Sequence, residues 1–77
     1  MKRYKKIESN PKVMFGKPVI KGTRVTVELI LRKLSEGLSA QEIVAEHPTI
    51  TALDVREAQM YAADMLAGEE IYFAESA

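Results

Sequence analysis

Gly16-Lys17-Pro18-Val19-Ile20-Lys21-Gly22-Thr23-Arg24 decides how this chain is read. Gly16 and Gly22 permit positive φ, while Pro18 fixes its own φ and offers no N–H. Pro18 also pushes Lys17 toward extended backbone. One apolar pair, Val19-Ile20, lies between these constraints. The stretch reads as turn, short strand, turn, with Lys17, Lys21 and Arg24 projecting from it. It marks the border between a β-like, basic first third and a helical remainder.

Before it, residues 4–8 read as an edge strand and Ser9-Asn10-Pro11 as a turn. Val13-Met14-Phe15 is a further short apolar run. Together with Val19-Ile20 these runs predict a ribbon of two or three strands. After it the period changes. Val27, Ile30, Leu31 and Leu34 follow the i, i+3, i+4, i+7 pattern of an amphipathic helix. Thr26 is its N-cap, Glu28 sits in the first turn, and Gly37 stops it. Ser39-Ala40-Gln41-Glu42 is a capping box that opens a second helix, which carries Ile43 and Val44 and ends before Pro48. Thr51-Ala52-Leu53-Asp54 repeats the box with Asp in the Glu role. It opens the longest helix, with Val55, Ala58, Ala62, Met65 and Leu66 on one face and Gly68 at its end. The turn through His47-Pro48-Thr49-Ile50 sets the second and third helices as a helix-turn-helix.

The expected architecture is therefore mainly α. Residues 1–77 form a single domain: a basic β-ribbon and turn region (1–25), a three-helix cluster (26–68) and an acidic-aromatic tail (69–77). A core built from 77 residues is marginal. With no cysteine and one histidine, His47, neither a disulfide nor a metal site supplies the missing stability. Self-association does, so a homodimer is expected. No cofactor is implied. Met1-Lys2-Arg3-Tyr4-Lys5-Lys6 leads into no apolar run, so it is not read as a signal peptide, and no segment is long enough to span a membrane. A soluble cytoplasmic protein is the expectation.

The net charge of zero hides a division. Residues 1–33 hold ten of the eleven Lys and Arg against Glu8 and Glu28. Residues 34–77 hold Arg56 against nine acids. A basic face for polyanions and an acidic face for a cationic partner follow, unless the halves neutralise one another inside the fold.

Three segments carry a resemblance. They are Gly16 to Val25, then Leu34-Ser35-Glu36-Gly37-Leu38-Ser39-Ala40-Gln41-Glu42-Ile43, then Pro48-Thr49-Ile50-Thr51-Ala52-Leu53-Asp54-Val55. Over about residues 7–66 the chain closely resembles the domain-of-unknown-function 433 family. The resemblance implies a homeodomain-like helix-turn-helix behind a small β element. It also implies an antitoxin of the VapB kind, encoded beside a PIN-like nuclease toxin.

No nucleophile–base pair is visible, so no catalytic residue is assigned and the chain is not read as an enzyme. His47 reads as a helix-end residue. The glycine-bounded loop lacks the Gly-Lys-Ser/Thr ending of a phosphate cradle. For DNA, the third helix offers Arg56 and Gln59 as base-reading types, but Asp54 and Glu57 at the same end repel phosphates. Phosphate contact is expected instead from Lys5, Lys6, Lys12, Lys17, Lys21, Arg24 and Arg32. Ile71, Tyr72 and Phe73, bracketed by Glu69, Glu70 and Glu75, form the candidate partner-binding segment. They either order on a nuclease surface or pack back on the domain or a second protomer. Gly16–Arg24 itself either meets a partner or shapes the entry to the first helix, with Arg24 pairing Asp54 or Glu57. The expected function is a non-enzymatic antitoxin of a type II pair that neutralises a PIN-like nuclease and binds operator DNA. The alternatives are a stand-alone helix-turn-helix DNA-binding regulator and an oligomerisation or adaptor module.

Overall fold

The computed structural model describes residues 2–73. Four short strands, β1 (Lys2–Tyr4), β2 (Ile7–Glu8), β3 (Val19–Ile20) and β4 (Ile71–Phe73), surround three helices, α1 (Val27–Ser35), α2 (Ala40–Glu46) and α3 (Ala52–Leu66). The predicted helices are all present, with their predicted caps. Thr26 Oγ1 accepts from the Leu29 N–H at 3.0 Å. Ser39 and Glu42 exchange both bonds of a capping box, as do Thr51 and Asp54. Each cap satisfies N–H groups that the helix itself leaves unpaired. At the other ends, Leu38 N–H donates to Lys33 O and Glu69 N–H to Asp64 O, the wide hydrogen bond that closes a helix around Gly37 and around Gly68.

The β part differs from the single ribbon read from the sequence. There are two separate two-stranded sheets, β1–β4 parallel and β2–β3 antiparallel. Residues 4–8 do not run as one strand. A bend at Lys5-Lys6 splits them, so that Tyr4 and Ile7 both point inward and each is almost fully covered. Strict alternation would have placed Tyr4 and Ile7 on opposite faces.

Val19-Ile20 turns back on Val25-Thr26 as a tight hairpin. The Ile20 N–H donates to Val25 O at 2.9 Å, and Thr23 Oγ1 donates to Ile20 O at 2.8 Å while accepting from the Val25 N–H. The Val27 N–H then donates to Pro18 O at 2.9 Å, which ties the hairpin to the start of α1. Val19, Ile20 and Val25 lie in or against the core. In the structure this stretch is thus a scaffold for the entry to α1. The suggested Arg24 pair with Asp54 or Glu57 is not formed. Asp54 instead caps α3, and Glu57 interacts with Lys6.

The core joins Tyr4, Ile7, Ile20, Val27, Ile30, Ile43, Ile50, Val55, Ala58 and Tyr61. Helix α3 packs against α1 and α2, and so lies beneath most of these residues. Its buried stripe is Val55, Ala58 and Tyr61, with Ala62 half-buried. Met65 and Leu66, read from the sequence as part of that face, are 52% and 90% exposed. The face rotates because Tyr61 turns toward the terminal strands, where it meets Tyr4 edge-on at 5.4 Å and Phe73 at 6.0 Å.

The run Val13-Met14-Phe15 is not a strand. Met14, Phe15 and Gly16 have φ of 49°, 58° and 81°, one turn of left-handed backbone. For residues with a Cβ this conformation costs roughly 1–2 kcal/mol each. Phe15 receives no burial in return, being 95% exposed.

Candidate functional site

No described helix is long and apolar enough to cross a membrane. Among the described residues no group of three or more His, Asp or Glu side chains is placed to hold a metal. What the structure offers is surface, in three adjoining regions around α1 and α3.

The largest is an apolar groove of about 480 Å³ between α1 and α3. Val27, Leu31, Tyr61, Ala62 and Met65 line it, and Pro18, Glu28 and Arg32 stand at its rim. Leu66, beside Met65, adds a fully presented side chain at the end of α3.

The second is a recess of about 250 Å³ holding Met14, Lys17, Arg24, Glu28, Leu29 and Arg32. Three of the expected phosphate-contacting cations meet here, but two of them are engaged. Glu28 accepts from Lys17 Nζ at 3.2 Å and from Arg32 Nη2 at 3.1 Å. Lys17 and then Arg32 hold the Glu28 carboxyl below the usual carboxylate range. These pairs are solvent-exposed, so a polyanion can compete for the cations at little cost. Lys33, by contrast, is partly covered and ties α1 to Glu46 of α2 at 3.0 Å.

The third recess lies along the outer face of α3 and joins Arg3, Tyr4, Leu53, Arg56, Glu57, Met60 and Asp64. Here the structure revises the sequence argument against α3. Asp54 is only 5% exposed, because its carboxylate is turned in to accept the Thr51 N–H at 2.9 Å. Glu57 is half-buried. Burial, and next the charge of Asp54, raise its pKa, while the charge and backbone N–H of Lys6 pull the other way. The solvent face of α3 shows Arg56, Gln59 and Met60, with Glu57 and Asp64 half-buried in the recess that Arg56 and Met60 line.

A raised carboxyl pKa in the folded state means that ionising Glu57 costs stability. Its contribution is present below the ordinary carboxyl range and is lost as pH rises through the folded value. Glu57→Gln is therefore expected to raise stability at neutral pH by a fraction of a kcal/mol. The gain should vanish near pH 4, about the ordinary glutamate value, where the wild-type side chain becomes protonated. Thermal melts at both pH values check this, and an equal gain at both would contradict it.

The other sequence-derived candidates are scattered. Lys5, Lys6, Lys12 and Lys21 are exposed, on the β1–β2 bend, the 9–17 loop and the hairpin turn. The cationic recess and the α3 recess share no lining residue. Ile71, Tyr72 and Phe73 form β4 against β1, with Ile71 half-buried against the core and Tyr72 and Phe73 left 44% and 36% exposed. Glu75 lies outside the described residues. Sequence reasoning missed Phe15, Leu53 and Met60 as surface groups. An apolar residue reads as core unless its backbone and neighbours say otherwise.

A family model described as "Protein of unknown function (DUF433)" matches residues 7–62, the span from β2 into α3. The chain is also similar to "Uncharacterized protein y4eO" of Sinorhizobium fredii (strain NBRC 101917 / NGR234), with 31% identity over 70 residues. That alignment covers 90% of this chain and 32% of the relative, so the chain spans about a third of the length of the curated relative it matches. No solved structure matches it. With the family model covering the hairpin, the three caps and most of α3, the chain belongs to the DUF433 family.

Proposed function

We propose that this chain is a non-enzymatic antitoxin module that binds and neutralises a PIN-like nuclease. The observation that carries the reading is the uncovered apolar surface of α1 and α3: a groove of about 480 Å³ lined in part by Met65, with the exposed Leu66 next to Met65 in the chain. Contiguous apolar surface of this kind marks protein interaction sites. The nature of the partner comes from the family resemblance. In this reading the module is a homodimer with a homeodomain-like helix-turn-helix, uses no cofactor, and works in the cytoplasm.

The test is co-expression with the gene that neighbours it, followed by co-purification and a nuclease assay of what is captured. Leu66→Glu and Met65→Glu change exposed side chains, so folding is expected to be unaffected. Capture is expected to fall at least about tenfold for each, the loss typical of a central apolar contact. Undiminished capture by both variants contradicts the reading. Deleting residues 69–77 is not a clean test, because it removes β4 from its sheet.

A second reading, a stand-alone DNA-binding regulator, is favoured by one observation. Asp54 turns inward while Arg56 and Gln59 face solvent, Arg56 sharing a recess with Arg3 and with the half-buried Glu57 and Asp64. A gel-shift titration separates the two readings: sequence-selective, salt-dependent binding lost in Arg56→Ala supports the regulator. An adaptor module without either partner would fail both assays.

A further inference from the structure

We propose that Phe15 and the cations around it form a stacking site for an unpaired nucleobase, so that the 9–17 loop binds single-stranded nucleic acid. Phe15 is 95% exposed, on a turn in which Met14, Phe15 and Gly16 all have positive φ. Strained backbone persists where the surrounding structure over-determines it, and it clusters at functional sites. The surrounding bonds here do over-determine it. Ser9 Oγ donates to Gly16 O at 2.6 Å, Lys12 N–H to Asn10 Oδ1 at 2.9 Å and Val13 N–H to Asn10 O at 2.8 Å. The Gly16 and Lys17 N–H groups close the turn onto Val13 O and Met14 O, each at 3.1 Å. The ring is held out by a fixed frame.

Its neighbours identify the ligand. A protein hot spot is an aromatic anchor within a larger apolar patch. The other highly exposed aliphatic side chains, Leu53, Met60, Met65 and Leu66, are all on α3. Beside Phe15 the chain carries Lys12 and Lys17 instead. The recess reached through Met14 and Lys17 adds Arg24, together with Lys17 and Arg32 in solvent-exposed pairs with Glu28 from which a phosphate can draw them. An exposed ring on a loop that carries Lys12 and Lys17 and borders a cationic recess suits a base with phosphates on either side. Sequence-tolerant binders of single strands combine the same two elements, a stacking aromatic and a cationic track. A paired base is already stacked on its neighbours and has no free face for the ring.

The site is tested separately from the nuclease reading: Arg32 and Glu28 border both surfaces, but Phe15, Lys12 and Arg24 line no part of the α1–α3 groove. The experiment is fluorescence anisotropy of the full chain with labelled single strands of about 12 nucleotides, a length within the usual site sizes, as DNA, as RNA and as the matched duplex. The expected result is tighter binding of single strands than of the duplex. Phe15→Ala should lower single-strand affinity about 10- to 100-fold with an unchanged melting temperature. Phe15→Trp should retain affinity and Phe15→Leu should not, which separates stacking from apolar contact. Lys12→Glu and Arg24→Glu should each flatten the salt dependence. Either order of DNA and RNA affinity supports the site and says which strand it takes. Absence of single-strand binding, preference for the duplex, or full affinity in Phe15→Ala overturns the proposal.

Discussion

Tyr4→Ala is expected to lower stability by about 3–5 kcal/mol, the range for deleting a buried aromatic ring, and to release both ends of the chain. Tyr4 is 4% exposed. Its ring stands edge-on to Tyr61, and its hydroxyl donates to the Asp64 carboxylate. Through β1 it pairs with Phe73, which leans on the other side of Tyr61. A lone pair of short strands is marginal in water. The β1–β4 sheet therefore depends on this cluster of three rings. Tyr4→Phe keeps the ring and loses the hydrogen bond to a charged group, for an expected cost of about 1.5–3 kcal/mol. Hydrogen exchange at the amides of 71–73 checks the coupling. Tyr4→Phe, which keeps the ring, is expected to lose protection at 71–73 before the helices do, and unchanged protection there in that variant would sink it.

The same contact sets an alkaline limit. Burial, and after it the hydrogen bond and charge of Asp64, push the Tyr4 phenol up to about 12 from its ordinary value of 10.0. The folded value lies above the unfolded one, so the stability Tyr4 contributes is intact below pH 10.0 and is lost as pH rises through about 12. Melting temperature is expected to fall across that window in the wild type and to fall less in Tyr4→Phe.

Ile30→Ala is expected to leave most of the chain unfolded at physiological temperature. Ile30 has no exposed surface and sits on the face of α1 that meets α2 and α3. Removing a buried Ile side chain costs about 2–5 kcal/mol. A single core of this size rarely supplies more than about 3–5 kcal/mol. Ile30→Val, expected to cost about 0.5–1.5 kcal/mol, keeps the fold and gives the scale. Urea titrations of both variants measure the difference. A midpoint for Ile30→Ala close to that of Ile30→Val would contradict the placement of Ile30 at the centre of the core.

The helices were legible because their signals are local. Thr26, the Ser39–Glu42 box and the Thr51–Asp54 box act on N–H groups two or three residues away. The alternation of Val27, Ile30 and Leu31 needs only one helical turn to be recognised. The strands were less legible. Two of them pair residues 2–4 with 71–73, and nothing within a short window announces such a contact. The bend at Lys5-Lys6 hid the split of β1 from β2 for the same reason. The candidate surfaces lie between these cases. Residue types named Arg56 and Gln59, but only packing showed that Asp54 turns inward beside them. Phe15 was invisible as a surface group because its exposure follows from φ, which residue type alone does not set for Met and Phe.

The sequence by itself determined where the three helices begin and end, the scaffold constraints of Gly16–Arg24, and the split of charge between the two halves. These depend on backbone allowances, capping chemistry and formal charge, all carried by residues close together in the chain. Only the tertiary structure decided that this stretch folds as a hairpin into the core, that residues 2–4 meet 71–73 as a parallel sheet, and which described side chains are left in water. Those outcomes depend on contacts between residues far apart in sequence, whose energies come from burial shared among many partners.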